Sequence, residues 1–134
     1  MSGDGAGDAP RPPRWRPFYA FWFAGVAVYA GFSLAPWQFP YQVMLFGNIM
    51  LDEALHFLAF ALLAVGLPYQ FTPWLDLCLA MLVLVLLGIA TELAQLFIPS
   101  RAFAVQDMAA NTLGCLLGIL PGTLHRAIRA RRSG

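Results

Sequence analysis

Eight side chains whose types could do chemistry fall in three short stretches of this largely apolar chain. They comprise four carboxylates, one imidazole, two amides and one guanidinium: Asp52, Glu53, His56, Glu92, Gln95, Arg101, Asp107 and Asn111. Within the stretches the spacings are mostly three or four residues, as from Asp52 to His56. Residues three or four apart share one face of an α-helix, so each stretch is predicted to present a single polar stripe.

These residue types allow two kinds of chemistry, binding and acid–base catalysis. In a binding site, Arg101 would meet a phosphate or carboxylate, while the amides and the imidazole would hydrogen-bond hydroxyl or amide groups. In an enzyme, His56 beside a neighbouring carboxylate, and Glu92 beside Asp107, would act as general acid and base. The sequence contains neither a serine nucleophile elbow nor an HExxH or HxxxH motif, so whether the chain is an enzyme stays open.

No metal or other cofactor is predicted. His56, Glu92 and Asp107 are residue types that bind zinc, but one histidine with carboxylates scattered over three stretches lacks the close ligand spacing of a metal motif. A proton-coupled exporter is not favoured, since the first apolar segment, residues 17–35, contains no acid or base. A structural or partner-binding subunit is a further alternative, because polar side chains inside a membrane also satisfy one another.

Apolar helices must position these polar side chains, because 60% of the 134 residues are hydrophobic and only 11% are charged. Soluble domains are about 25% charged, and a chain this short cannot bury so much apolar surface inside itself. Four apolar segments each approach the length of about 20 residues that crosses a bilayer. They cover approximately residues 17–35, 54–71, 74–97 and 105–124. We therefore predict an all-α, polytopic transmembrane helical bundle with four spans.

The four spans are predicted to form one domain over residues 15–126, flanked by two tails. Residues 1–14 are rich in Gly, Pro, Asp and Ala without apolar periodicity, which is typical of a disordered segment. Residues 127–134 form a basic tail. The first loop, residues 36–50, is expected to lie at the membrane interface, with its aromatic residues as anchors: Trp37, Phe39 and Tyr41.

The distribution of arginine predicts the orientation in the membrane. All eight basic residues are Arg. Seven of them lie before the first span or after the last one: Arg11, Arg14, Arg16, Arg126, Arg129, Arg131 and Arg132. Only Arg101 lies in a loop on the opposite side, where it is a candidate counter-ion for Glu92 or Asp107. The positive-inside rule therefore predicts cytoplasmic termini and an outward-facing set of polar residues. These flanks account for the basic residues, so no nucleic-acid partner is expected.

A stripe of small residues follows the fourth segment at intervals of four: Ala110, Gly114, Gly118 and Gly122. Small residues on one helix face let a neighbouring helix approach closely. The stripe is predicted to pack inside the bundle, with a homodimer through the Gly114 and Gly118 face as the alternative.

Three blocks of this sequence resemble the VanZ-like family of bacterial membrane proteins. Residues 52–60, DEALHFLAF, resemble the family's D-K-x-x-H-F segment. Residues 92–101, ELAQLFIPSR, resemble its E-x-x-Q-x-F-x-P-x-R segment, and residues 107–114, DMAANTLG, resemble its D-x-x-x-N-x-x-G segment. The order and spacing of the blocks agree with the family, but Glu53 stands where the family usually has Lys.

The resemblance implies a multispan protein of the bacterial cytoplasmic membrane. The namesake of the family is associated with low-level resistance to teicoplanin, a glycopeptide that acts on the cell envelope. Together with the outward-facing polar residues, this implies a protein that binds or modifies an envelope lipid, saccharide or cell-wall precursor. The alternative is a membrane-embedded enzyme with His56, Glu92 and Asp107 as its acid–base groups.

Overall fold

The computed structural model describes residues 16–36, 43–99, 101 and 103–132. The helices are α1 (Arg16–Leu34), α2 (Leu51–Val65), α3 (Leu67–Gln70), α4 (Trp74–Gln95), α5 (Val105–Gly118) and α6 (Leu120–Arg132). Two short strands, β1 (Met44–Phe46) and β2 (Ile49–Met50), precede α2. The predicted disordered segment, Arg11, Arg14 and the expected interface anchors Trp37, Phe39 and Tyr41 lie outside the described residues.

The all-α prediction is confirmed, and three helical stretches are long and apolar enough to cross a membrane. They cover Pro17–Leu34, Leu51–Gln70 and Trp74–Gln95. Large apolar side chains project from their outer faces, with Phe21 81% exposed. A surface of this kind suits a lipid bilayer rather than water. The 14 residues of α5 rise only about 21 Å, so that helix alone is too short for a hydrocarbon core of about 30 Å.

The second and fourth predicted segments are interrupted helices, whereas the sequence predicts continuous ones. The break between α2 and α3 falls at Gly66, and the break between α5 and α6 falls at Ile119. In both cases the second residue of the following helix is a proline, Pro68 or Pro121. Proline lacks the backbone N–H for the i→i−4 hydrogen bond, and its ring crowds the carbonyl four residues earlier. The connection between the second and third predicted segments therefore begins with the short helix α3.

The loop before α2 contains an antiparallel hairpin that the sequence reading missed. Met44 pairs with Met50 and Phe46 pairs with Ile49, and the Leu51 N–H donates to the Val43 carbonyl at 2.9 Å. The turn begins with Gly47 at φ 57°, a conformation that glycine adopts without steric cost. The hairpin leads directly into α2 and thereby positions the polar residues in the first turn of that helix.

The small-residue stripe of α5 packs against α2 of the same chain. A Cβ atom on Gly114 would overlap the Phe57 carbonyl oxygen, and one on Gly118 would overlap the Ala61 carbonyl oxygen. Ala110 is half-buried one turn before Gly114. Close backbone approach of this kind needs glycine on the facing surface. This face is covered by α2 of the same chain, and the structure gives no support to the homodimer alternative.

The far end of α5 continues into α6, which packs on α3. A Cβ atom on Gly122 would lie 2.9 Å from the Pro68 side chain. The Arg126 guanidinium donates to the carbonyls of Pro68, Phe71 and Thr72 at 2.9, 3.0 and 2.7 Å. Carbonyls at the end of a helix lack partners within the helix, so Arg126 stabilises the end of α3 and the turn after it. Residues 127–132 continue α6 as helix.

Candidate functional site

Four helix ends meet at one end of the bundle, which we call the polar end. α1 and α4 finish there, and α2 and α5 begin there. The polar side chains buried at this end are each at most 5% exposed: Ser33, His56, Thr91, Glu92, Gln95, Asp107 and Asn111. We call these seven residues, with Tyr29, Asp52 and Arg101, the polar cluster. It contains seven of the eight residues that the sequence singles out.

His56, on the first turns of α2, is the centre of the polar cluster. Its Nδ1 lies 3.1 Å from Asn111 Oδ1, 3.2 Å from the Tyr29 hydroxyl and 3.6 Å from Glu92 Oε1. Its Nε2 lies 3.7 Å from Asp52 Oδ1, one helical turn earlier. The imidazole thus contacts side chains from α1, α4 and α5 as well as its own helix.

Hydrogen bonding on the Nδ1 side determines which ring nitrogen of His56 carries a proton. The Thr91 hydroxyl donates to the Gly88 carbonyl at 2.8 Å, so at 3.0 Å the Tyr29 hydroxyl has to donate to Thr91. The Tyr29 oxygen and Asn111 Oδ1 then face His56 as acceptors. His56 Nδ1 is therefore the N–H donor, and in the neutral ring the Nε2 lone pair points toward Asp52.

Arg101 reaches the polar cluster from the segment between α4 and α5. Its Nη1 lies 3.7 Å from Asp52 Oδ2, and its Nη2 donates to the Phe32 carbonyl at 3.1 Å. The Arg101 side chain is 4% exposed although the residue lies in a loop. A buried guanidinium of this kind is suited to pairing with a carboxylate or a phosphate.

The first helix contributes Tyr29 and Ser33, which the sequence reading missed. Gln95 Nε2 donates to Ser33 Oγ at 2.7 Å and to the Ser33 carbonyl at 3.2 Å. The available signal was spacing, because Tyr29 and Ser33 are four residues apart on α1, as Thr91 and Gln95 are on α4. Hydroxyl residues in a helix often bond to their own backbone, so spacing alone does not distinguish these.

Glu53 is the predicted site residue that lies apart from the polar cluster. It is half-buried, and its Oε2 accepts a hydrogen bond from the Met50 backbone N–H at 3.4 Å. Backbone N–H groups in the first turn of a helix lack partners within the helix, and a carboxylate there also suits the helix dipole. Glu53 therefore contacts the start of α2 rather than the polar cluster.

A groove of about 490 Å³ runs between α1 and α2 and reaches the polar cluster. Its walls are apolar for most of their length, where they are formed by residues such as Phe18, Trp22, Val28, Leu55 and Leu62. At the polar end it is lined by Ser33, Asp52, His56 and Arg101. From Phe18 to Ser33 the groove follows α1 for about 22 Å, at about 1.5 Å per residue.

Residues able to hold a metal ion lie where this groove meets the polar cluster. One ligand atom from each of Asp52, His56 and Asp107 lies within 4.8 Å of the other two. His56 and Asp107 are both 4% exposed. Glu92 is the other residue type able to bind zinc that the sequence analysis named with His56 and Asp107. It lies on the Nδ1 side of the imidazole.

Comparison with protein families gives one match that spans most of the chain. The family model described as VanZ/LLP1 matches residues 8–125. This range includes every element from α1 to α5 and the start of α6. Comparison with curated proteins found no match, and comparison with solved structures found none either.

Proposed function

This chain belongs to the VanZ/LLP1 family, and we propose that it is a four-span protein of the bacterial cytoplasmic membrane that binds an envelope lipid. The lipid chain would lie in the groove between α1 and α2, and the polar head group would lie against the polar cluster. The observation that carries the proposal is a groove that is apolar along α1 and ends at charged side chains.

The four-span topology rests on treating α5 and the start of α6 as one span. The apolar residues 105–124 rise about 30 Å in helical conformation, which matches the hydrocarbon core of a bilayer. Packing of Gly122 on Pro68 brings the start of α6 beside α3, at the end of the bundle opposite the polar cluster. With four spans, the domain of residues 15–126 has both flanking segments, 1–14 and 127–134, on one side.

The arginine flanks support a cytoplasmic location for both termini. Arg16 opens α1, and the last turn of α6 carries Arg129, Arg131 and Arg132. An excess of arginine beside membrane spans marks the cytoplasmic side. The polar cluster then faces the outer side of the membrane, which is where the head groups of outer-leaflet lipids are found.

The shape and lining of the groove favour a lipid over a free saccharide. Ligand sites are commonly concave, mostly apolar and equipped with a few convergent polar groups. A saccharide would leave most of the apolar wall formed by Phe18, Trp22 and Leu62 without a partner. An extended acyl or isoprenoid chain covers that wall, and each buried methylene contributes about 0.8 kcal/mol relative to water.

The polar end of the groove suits a head group with a phosphate or several hydroxyls. Arg101 offers a buried guanidinium, which binds phosphate oxygens with directional hydrogen bonds. Ser33 and His56 line the same end and add groups that bond to hydroxyls. Because teicoplanin acts on the cell envelope, binding of an envelope lipid offers a route by which this protein would alter susceptibility to that antibiotic.

Thermal unfolding of the purified protein in detergent tests this proposal. The ligands are undecaprenyl phosphate, anionic phospholipid and teicoplanin, each added to the parent and to two variants. Val28→Trp fills the groove from a side chain that is 72% exposed. Leu79→Trp is the matched control, because Leu79 is exposed on α4 and is not among the residues that line the groove.

We expect a lipid at about a hundred times its Kd to stabilise the parent and Leu79→Trp by about 2.7 kcal/mol. Val28→Trp should unfold like the parent without lipid but gain much less from its addition. Equal stabilisation of all three proteins would place the lipid elsewhere. If no lipid stabilises the parent, the proposal is wrong.

A further inference from the structure

The imidazole of His56 is arranged like that of a metal ligand. Its Nδ1–H is committed to Asn111 Oδ1 and the Tyr29 oxygen, which lie 3.1 and 3.2 Å away. Histidines that bind metals donate their other ring N–H in this way, which fixes the tautomer and the ring orientation. In the neutral imidazole the Nε2 lone pair is then on the side of Asp52, whose Oδ1 lies 3.7 Å away. Two acceptors that face each other are stabilised by a cation between them.

Two further candidate ligands lie beside His56. One donor atom from each of Asp52, His56 and Asp107 lies within 4.8 Å of the other two. Donors about 2.1 Å from a tetrahedral ion are about 3.4 Å apart, so the three side chains would close by at most about 1.4 Å. They come from the starts of two helices, α2 and α5, whose backbones are held in close contact at Gly114.

Carboxyl groups outnumber guanidinium groups around these ligands, which favours binding of a cation. Three carboxyl groups, those of Asp52, Glu92 and Asp107, accompany one guanidinium, that of Arg101. Glu92 is 0% exposed, and neither of its oxygens has a hydrogen-bond partner among the described residues. Buried charges are costly unless they are paired or bound to a metal.

We propose that Asp52, His56 and Asp107 bind one divalent transition-metal cation of the Zn²⁺ or Mn²⁺ type. One imidazole nitrogen with carboxylate oxygens is a ligand set that suits such ions. Glu92 lies on the other side of the imidazole, with its Oε1 3.6 Å from His56 Nδ1. Asp52 and His56 also line the groove, so the open coordination positions of the ion would face the groove. The site rests on these side chains alone and does not depend on the lipid proposal.

Metal binding by the full chain tests this inference. The protein is purified in detergent, stripped with a chelator and titrated with Zn²⁺ and Mn²⁺ alone, with calorimetry as the readout. The ligand variants are His56→Gln and Asp107→Asn. The controls are His125→Gln and Asp76→Asn, whose side chains are exposed on α6 and α4. Titration of the parent with Co²⁺ adds a spectroscopic readout, since its visible absorption reports the ligands around the ion.

We expect one ion per parent chain, unchanged affinity in both controls and more than about 100-fold weaker binding in each ligand variant, since changes to groups that merely orient ligands already cost 10–100-fold. Co²⁺ should give a saturable spectrum that Zn²⁺ displaces, and this result stands even if a ligand variant fails to fold. The inference is wrong if the parent shows no saturable binding of these metals. Undiminished binding in folded His56→Gln and Asp107→Asn would overturn it equally.

Discussion

His56 Nδ1 on α2 lies 3.1 Å from Asn111 Oδ1 on α5, although the two residues are 55 positions apart in sequence. Such short side chains meet only where two helix backbones approach closely. Gly114 provides that approach, one turn after Asn111, because its missing side chain makes room for the Phe57 carbonyl. The glycine stripe and the polar cluster therefore depend on each other.

Gly114→Ala should push α2 and α5 apart and destabilise the protein. The added methyl group overlaps backbone at Phe57 rather than a flexible side chain, and overpacking of this kind costs about 1–3 kcal/mol. Gly31→Ala is the control, because a Cβ atom at Gly31 meets nothing within 4 Å. Thermal unfolding in detergent measures both variants, and equal stability of the two would contradict the role of Gly114.

Tyr29→Phe should lower stability while leaving the aromatic packing in place. The Tyr29 ring stacks edge-on against Phe60 with centroids 4.9 Å apart, and phenylalanine retains that contact. Loss of the hydroxyl removes the hydrogen bonds to His56 and Thr91. Side-chain hydrogen bonds between membrane helices average about 0.6 kcal/mol each.

Tyr69→Phe is the matched control for Tyr29→Phe, because Tyr69 is 55% exposed and lies at the other end of the bundle. Unfolding midpoints of the two variants are compared with that of the parent. If Tyr69→Phe lowers the unfolding midpoint as much as Tyr29→Phe does, the hydroxyl network adds nothing to stability.

Arg126→Met should loosen the connection between α3 and α4. Arg126 donates three hydrogen bonds to backbone carbonyls of this segment, and methionine keeps most of the side-chain length without the donors. Hydrogen bonds from charged groups contribute about 1.5–3 kcal/mol each. Because two of these bonds are only part-buried and the third is exposed, we expect a net loss of about 1–3 kcal/mol in total. Limited proteolysis near Thr72 and thermal unfolding provide the measurements.

Arg132→Met is the control for Arg126→Met, because Arg132 is an exposed residue at the end of α6. It should match the parent in both measurements. If protease sensitivity rises above that of the parent by the same amount in both variants, the charge of the terminal helix matters rather than the contacts of Arg126.

The proposed orientation predicts which loops a reagent reaches from outside the cell. Asn48→Cys, in the hairpin before α2, should react with a membrane-impermeant maleimide in intact cells. Thr72→Cys, in the turn before α4, should react only after the membrane is opened. Both substitutions are made in a background in which Cys78 and Cys115 are replaced. The reverse pattern would invert the topology, and labelling of both sites in intact cells would contradict it.

Much of the architecture was predictable because it depends on local composition. The apolar segments form helices close to their predicted limits, with the third predicted at residues 74–97 and observed as Trp74–Gln95. The helix breaks were predictable in principle, since proline disrupts a helix wherever it occurs, but Pro68 and Pro121 lie inside apolar runs that read as continuous. The hairpin at Gly47 was not predicted for the same reason, because it lies among apolar residues.

The sequence by itself determined that the chain is an apolar, helical membrane protein whose candidate site residues lie in three stretches. Composition and helical spacing are local properties, and they decide which residues share a helix face. Only the tertiary structure decided that Asp52 pairs with Arg101, that Tyr29 and Ser33 from a helix without charged residues in its span join the polar cluster, and that α2 covers the glycines of α5. These contacts depend on how separate helices are rotated and how closely they approach, which is set by packing over the whole chain.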